Sequence, residues 1–329
     1  MKPTTQDLID SDCYFPTDRV GGAEMTAFKQ EARWRQHLWA KERGVTEFGT
    51  HPGRKTEEGR NHVRNGTKLP DDRAEVGTNF LTDAIHDIAE GRIKTPATHE
   101  TLNAQRLRRD LLSSMPMAFN LFGEASLPDN EVSRRALADL FGVAYAAPSD
   151  IVFEWSPGRR DPSYTRDRTA FDVALRLGEP GSQCVVGIET KYHEHSTKEP
   201  APRAKSRAAH EHQTEFLVAK AKAAGVFVDG WEEKILETDL RQVWRDHLLA
   251  LSMRAHPDHW DPATKYVLIY PSANVSFADV AARYADLLLP GDDSFAAFTI
   301  EQVLDAAFAH GDSTKAAFDH RYLAWMATA

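Results

Sequence analysis

Three side chains near the middle of the chain, Asp172, Glu189 and Lys191, have the types and spacing for metal-assisted hydrolysis. Hard divalent cations such as Mg²⁺ take oxygen ligands, commonly one or two carboxylates with water and phosphate oxygens making up the rest. Asp172 and Glu189 supply two carboxylates, and the carbonyl of Thr190 lies between Glu189 and Lys191. An ammonium two residues beyond an acid, on the same strand face, can hold or deprotonate an attacking water. It can also balance the charge of a phosphorane-like transition state. The plain alternative is a solvated strand face carrying a Glu–Lys pair, which chance supplies often. An Asp on the preceding strand, an apolar run into the Glu and a following helix favour chemistry.

The elements that must position these groups read as two strands, 169–177 and 183–191, joined by the turn Gly178-Glu-Pro-Gly-Ser182. Strand side chains alternate between faces. Phe171, Val173, Leu175 and Leu177 are therefore expected on one face with Asp172 opposite. Cys184, Val186 and Ile188 are expected on one face of the second strand, with Glu189 and Lys191 emerging together on the other. Two carboxylates and an amine then meet at one end of a hairpin whose other side is core. Such a group is costly to bury without compensation.

The surrounding chain changes character at Asp150. Before it the pattern is helical, at about 22–43, 79–90, 98–114, 117–122 and 131–141. After it come a strand at 151–155, the hairpin, helices at 207–224 and 239–255, a strand at 265–270 and further helices, the second entered through a short strand at 297–300. That order implies an α/β (α+β) mixed central sheet flanked by helices. Residues 1–103 read as a mostly helical N-terminal extension, and 104–329 as the core with C-terminal helices. No boundary between them is convincing, so one compact unit is expected. The stretch 45–76 contains Gly49, Gly53, Gly59 and Gly66 among the bases Arg54, Lys55, Arg60, Arg64, Lys68 and Arg73, and reads as a long loop suited to phosphates or simply to solvent.

The net charge of −9 argues against a nucleic-acid partner at first sight, but the acidic excess lies mainly after Val228. Two cysteines, Cys13 and Cys184, far apart, offer no disulfide framework or CxxC metal pattern. No signal-like or membrane-spanning apolar run occurs, so a cytoplasmic protein with no membrane partner is expected. The pairs His193-Glu-His195 and His210-Glu-His212 raise a zinc-hydrolase alternative, although both sit in polar sequence where surface histidines are the norm. No Walker loop, dinucleotide fingerprint or serine elbow is present.

Asp172 followed by Glu189-Thr-Lys191 resembles the PD-(D/E)xK nuclease superfamily, whose fold is restriction-endonuclease-like; the match runs over roughly 104–270. A closer resemblance is to bacterial restriction-endonuclease-like proteins, carried by Phe119-Asn-Leu-Phe-Gly123, Glu154-Trp-Ser-Pro-Gly158, Arg168-Thr-Ala-Phe-Asp172, Ile188-Glu-Thr-Lys-Tyr192 and Trp244-Arg-Asp-His-Leu248. Phe171 stands where the simplest pattern has Pro. The resemblance implies a Mg²⁺-dependent endonuclease acting on DNA, most simply double-stranded, with Mn²⁺ able to replace Mg²⁺. Asp172, Glu189 and Thr190 would bind the metal, and Asp172, Glu189 and Lys191 would carry catalysis. The acid that related folds draw from the first core helix is not evident; Glu124 and Glu131 are candidates, and Glu154 is a third. Gln213 is a candidate supporting residue. Arg159, Arg160, Arg166 and Arg168, from the polar loop before the hairpin, are candidate phosphate contacts. A restriction or phage-defence role is consistent with the resemblance, and double-strand cutting by one site per chain would favour a homodimer. A catalytically silent nucleic-acid-binding protein on the same fold is the second reading, motivated by the acidic net charge.

Overall fold

The computed structural model describes residues 2–56, 59–100, 102–257 and 260–326. Its organising element is a five-stranded sheet in the order β3 (Ser149–Trp155), β4 (Phe171–Leu177), β5 (Cys184–Thr190), β6 (Lys265–Tyr270) and β7 (Phe295–Thr299); β1 (Thr50–Thr56) and β2 (Gly59–Arg64) pair separately. β3, β4 and β5 run antiparallel, while β5, β6 and β7 run parallel. A parallel pair needs a long crossover. Between β5 and β6 the helices Arg207–Ala224, Trp231–Ile235 and Arg241–Arg254 make it.

The two sheet faces bury separate cores. Val173, Leu175, Val186, Ile188, Val267 and Ile269 face a cluster that includes Met25, Phe28, Ile85, Phe119 and Leu137 from the N-terminal helices and Val303 and Phe318 from the C-terminal ones. Ala174, Val185, Tyr266 and Leu268 face the helices Arg207–Ala224, Arg241–Arg254 and Val275–Ala285. The helix Ser114–Phe122 is buried along nearly its whole length beneath the first face, where Phe119 stacks on Phe153 with ring centroids 4.0 Å apart. Helices from residues 1–103 therefore share one core with the sheet. Arg321, fully buried in the helix Asp312–Tyr322, donates to Gln36, to the carbonyl and side chain of Asn79 and to the Leu111 carbonyl.

Some sequence expectations are refined. The stretch 45–76 is not a bare loop: it carries the β1–β2 hairpin and a short helix, Asp71–Glu75. Polar strands without apolar alternation leave little trace in composition. The side chains of Arg54, Lys55 and Arg60 lie outside the described residues. The helix expected from 79 begins at Asp83, because Thr82 rather than Thr78 accepts the amide of Ile85.

Phe171 is the informative exception. It packs with Trp155 and Tyr266 in the second core, not with Val173 in the first. Its ring lies over Gly187, where an added Cβ would come within 2.4 Å of it. Gly187→Ala is expected to cost about 1–3 kcal/mol through overpacking. Thermal melting against wild type checks this; an unchanged melting temperature would show that the ring can move aside.

Candidate active site

The exchange of faces at Phe171 has a partner on β3. Ile151 and Phe153 face the first core, yet Trp155 faces the second. Between them Glu154 has φ +49°, a left-handed conformation that a non-glycine residue rarely adopts. Glu154 lies opposite Asp172 in the register set by Phe153↔Val173 and Trp155↔Phe171. Both strands thus turn over together at Glu154 and Asp172. On the other side of β4 the paired rungs stop at Val173↔Ile188, so the rung that would join Asp172 to Glu189 is missing. Asp172 sits where β4 parts from β5 and where its ladder with β3 skips one rung. The left-handed residue costs about 1–3 kcal/mol and persists only if its surroundings hold it. Here two guanidiniums do so: Arg92 donates to the Phe153 carbonyl at 2.9 Å and Arg159 to the Glu154 carbonyl at 2.6 Å. Arg92 is itself fixed by Glu100 at 2.6 Å.

The opened end of the sheet forms a cleft of about 510 Å³. Glu154, Asp172, Glu189, Lys191, Glu194 and Gln242 line it together with Asn103, Arg106, Ser114 and Met115. Asp172 Oδ2 accepts two hydrogen bonds, from the Thr190 amide at 2.9 Å and the Thr190 hydroxyl at 2.8 Å. The amide that would have joined the ladder is thus satisfied by the side chain. Lys191 Nζ donates to Glu189 Oε1 at 2.7 Å, and Gln242 Nε2 donates to the same oxygen at 3.2 Å. Past Lys191 the chain is fixed by Asn274, whose amide donates to the carbonyls of Tyr192 and Glu194, each at 2.8 Å.

The electrostatics follow from that crowding. Burial, with Asp172 and Glu189 close by, pushes the Glu154 carboxyl up to about 8. Burial and the neighbouring Asp172 raise Glu189 to about 7, against the opposing pull of Lys191. Burial works against the Lys191 ammonium, but Glu189, Glu194 and Asp172 outweigh it and hold the amine above its ordinary value. Four carboxylates in one cleft against one lysine and one arginine leave an excess of negative charge that a divalent cation would relieve. The donors are all oxygens, as Mg²⁺ or Mn²⁺ requires. Among the described residues no three His, Cys, Asp or Glu side chains are already gathered around a common point. The available set is two or three acids with a backbone carbonyl, and one Glu189 oxygen is taken by Lys191 and Gln242.

The other candidates fall elsewhere. Glu124 is bound by His310 Nε2 at 2.5 Å and Thr314 Oγ1 at 2.8 Å, and Glu131 pairs with Arg135 at 2.8 Å along its own helix; neither lines the cleft. Gln213 donates to the Thr165 carbonyl and accepts from Arg166, so it ties the arginine-containing loop to the helix Arg207–Ala224. Arg166 also lies 4.2 Å over the Phe216 ring. Arg159 is committed to the backbone of β3, while Arg160 and Arg168 are exposed outside the cleft lining. The histidine pairs do not converge: His195 faces Lys29 Nζ at 2.9 Å, whereas His212 sits with Arg166 and Glu215 on the helix surface. Sequence reasoning missed Arg106, Glu194 and Gln242. Only Glu194, three residues beyond Lys191, carried a positional signal.

A family model described as the PD-(D/E)XK nuclease superfamily matches residues 23–324. Neither curated proteins nor solved structures return a match. Members of that superfamily are generally nucleases, and the mixed sheet with helices on both faces is consistent with their fold. With nearly the whole length matched and the Asp172, Glu189, Lys191 group at the parted end of the sheet, the chain belongs to the PD-(D/E)XK nuclease superfamily.

Proposed function

We propose that this chain is a Mg²⁺-dependent nuclease that hydrolyses phosphodiester bonds of DNA. The observation that carries the reading is the convergence of Asp172, Glu189 and Lys191 in one cleft at the point where β4 leaves β5. Asp172, Glu189 and the Thr190 carbonyl would hold the cation, and Glu154 is the further acid because it alone of the three candidates lines the cleft. A bound divalent cation supplies Lewis-acid polarisation of the scissile phosphate and eases the ionisation of water. The chain's own groups do the rest. Glu189 fixes the Lys191 ammonium at 2.7 Å, and Gln242 fixes Glu189 in turn. Lys191 orients the attacking water and stabilises the charge that develops on phosphorus-bound oxygens as the water oxygen bonds to phosphorus and one P–O ester bond breaks, its leaving oxygen taking up a proton from solvent. Thr190 holds Asp172 in place through both its amide and its hydroxyl.

No helix among the described residues is long and apolar enough to cross a membrane. With one such site per chain, cutting both strands of a duplex would favour a homodimer. A restriction or phage-defence role is consistent with this chemistry, and Mn²⁺ is expected to replace Mg²⁺. The test is incubation of plasmid and linear DNA with wild type in Mg²⁺, in Mn²⁺ and in EDTA, beside Lys191→Ala. Cleavage is expected only with metal and is expected to fall by about two to three orders of magnitude in the variant. Cleavage that persists in Lys191→Ala would overturn the assignment. Binding without cleavage under every divalent ion would favour the catalytically silent reading.

A further inference from the structure

A second groove, of about 320 Å³, adjoins the catalytic cleft and shares Arg106 and Glu194 with it. Most of its wall precedes the five-stranded sheet: Arg33 from the helix Gly22–Glu42, Thr67 and Lys68 after β2, and Ser113 just before the helix Ser114–Phe122, with His193 and Glu194 completing it. Such a groove invites a polymer that fills the cleft and continues beyond it. The inference rests on the nuclease reading and adds to it the path of the substrate.

The cations decide the direction. Lys191 is buried and occupied by Glu189. Arg159 and Arg166 are spent on backbone and side-chain partners in their own loop and the neighbouring helix. Arg33 is held in the fork of Asp18. Arg106 is different. Its Nε is anchored on Ser113 Oγ at 2.7 Å, which fixes the guanidinium, while Nη2 stands 3.9 Å from Glu194 with the side chain 43% exposed. Lys68 Nζ lies 3.0 Å from Asp110, and that carboxylate is also partly exposed. Neither pair is buried, Lys68 and Asp110 being 19% and 33% exposed and Glu194 30%, and the Arg106–Glu194 separation is long, so a phosphate can compete with each carboxylate for about 1 kcal/mol. A guanidinium and an ammonium anchored on one groove suit phosphodiester oxygens.

We propose that the DNA strand carrying the scissile phosphate leaves the catalytic cleft through this groove, with Arg106 on the neighbouring phosphate and Lys68 on one farther along. The grip on the strand then comes from residues that precede the five-stranded sheet rather than from the arginine-containing loop between β3 and β4.

Fluorescence anisotropy of a short fluorescein-labelled DNA, single-stranded and as a duplex, tests this with Ca²⁺ in place of Mg²⁺ and with salt varied. Arg106→Gln and Lys68→Gln are each expected to lower the slope of log affinity against log salt by about 0.7–0.9, the loss of one phosphate contact. Arg106→Gln is expected to weaken binding about tenfold, with Arg106→Lys intermediate. Wild-type salt slopes in both Gln variants, from a protein that still cuts DNA, would overturn the path and leave the nuclease reading intact. So would a slope that falls only with Arg160→Gln and Arg168→Gln. A wild-type protein that neither binds nor cuts DNA would overturn both.

Discussion

Asp172→Asn is expected to lower single-turnover cleavage of DNA by about three orders of magnitude, equivalent to about 4 kcal/mol of transition-state stabilisation, while the protein stays folded. The asymmetry follows from what each oxygen of Asp172 does. Oδ2 accepts from the amide and hydroxyl of Thr190, and a carboxamide oxygen can take over both bonds. Charge is what is lost. Asp172 is one of three acids whose repulsion, with burial, raises Glu154 to about 8 and Glu189 to about 7. Removing one charge should leave the melting temperature of metal-free protein unchanged or higher. Asp172→Ala is the contrasting variant: it leaves the fully buried Thr190 amide without its acceptor and is expected to cost about 1–3 kcal/mol of stability as well as activity. Cleavage and thermal melting measured on the same preparations separate the two effects. An active Asp172→Asn enzyme would remove Asp172 from the metal site.

Arg321→Met is expected to lower stability by about 3–5 kcal/mol, a shift of roughly 10 °C in melting temperature. Arg321 is fully buried, donates to Gln36 Oε1 at 2.9 Å and to Asn79 O and Oδ1 at 2.7 Å each, and lies 3.8 Å over the Trp39 ring. None of these partners is a carboxylate, and burial draws the guanidinium down to about 10. Methionine fills much of the space but leaves Gln36 Oε1, Asn79 Oδ1 and the Leu111 carbonyl without their donor, while the Asn79 carbonyl keeps Asn120, and unsatisfied buried acceptors carry most of the penalty. Arg321→Lys keeps the charge but cannot reach all the acceptors, and should fall between. Thermal melting of the three proteins measures this; a loss under about 1 kcal/mol for Met would show that the acceptors find water.

The trio was legible in the sequence because period-two alternation places Glu189 and Lys191 on one face and an apolar run buries the strand behind them. β6 was legible for the same reason, its six residues being uniformly apolar or aromatic apart from Lys265. The turn-over at Glu154 was not. Nothing in Ile151-Val-Phe-Glu-Trp155 marks the Glu as left-handed, because that conformation is imposed by Arg92 and Arg159 holding the adjacent carbonyls. As a result Phe171 was placed on the wrong face. Glutamines illustrate the same limit. Gln213 and Gln242 both sit on helices after β5, but only helix packing decides that Gln242 reaches Glu189 while Gln213 serves the loop. Glu124 looked available because its partner His310 lies far along the chain.

The contacts of Arg321 also bear on when the fold can be completed during synthesis. Gln36 and Arg321 are separated by 285 positions, and Asn79 and Arg321 by 242. A ribosome adds about 5–20 residues per second, so the first helices wait on the order of ten seconds or more for the guanidinium that closes their core. The helix carrying Ser114 and Met115, which walls the cleft, packs in that same core. A chain still lacking the helix Asp312–Tyr322 would therefore lack the contacts that close the core behind the cleft wall.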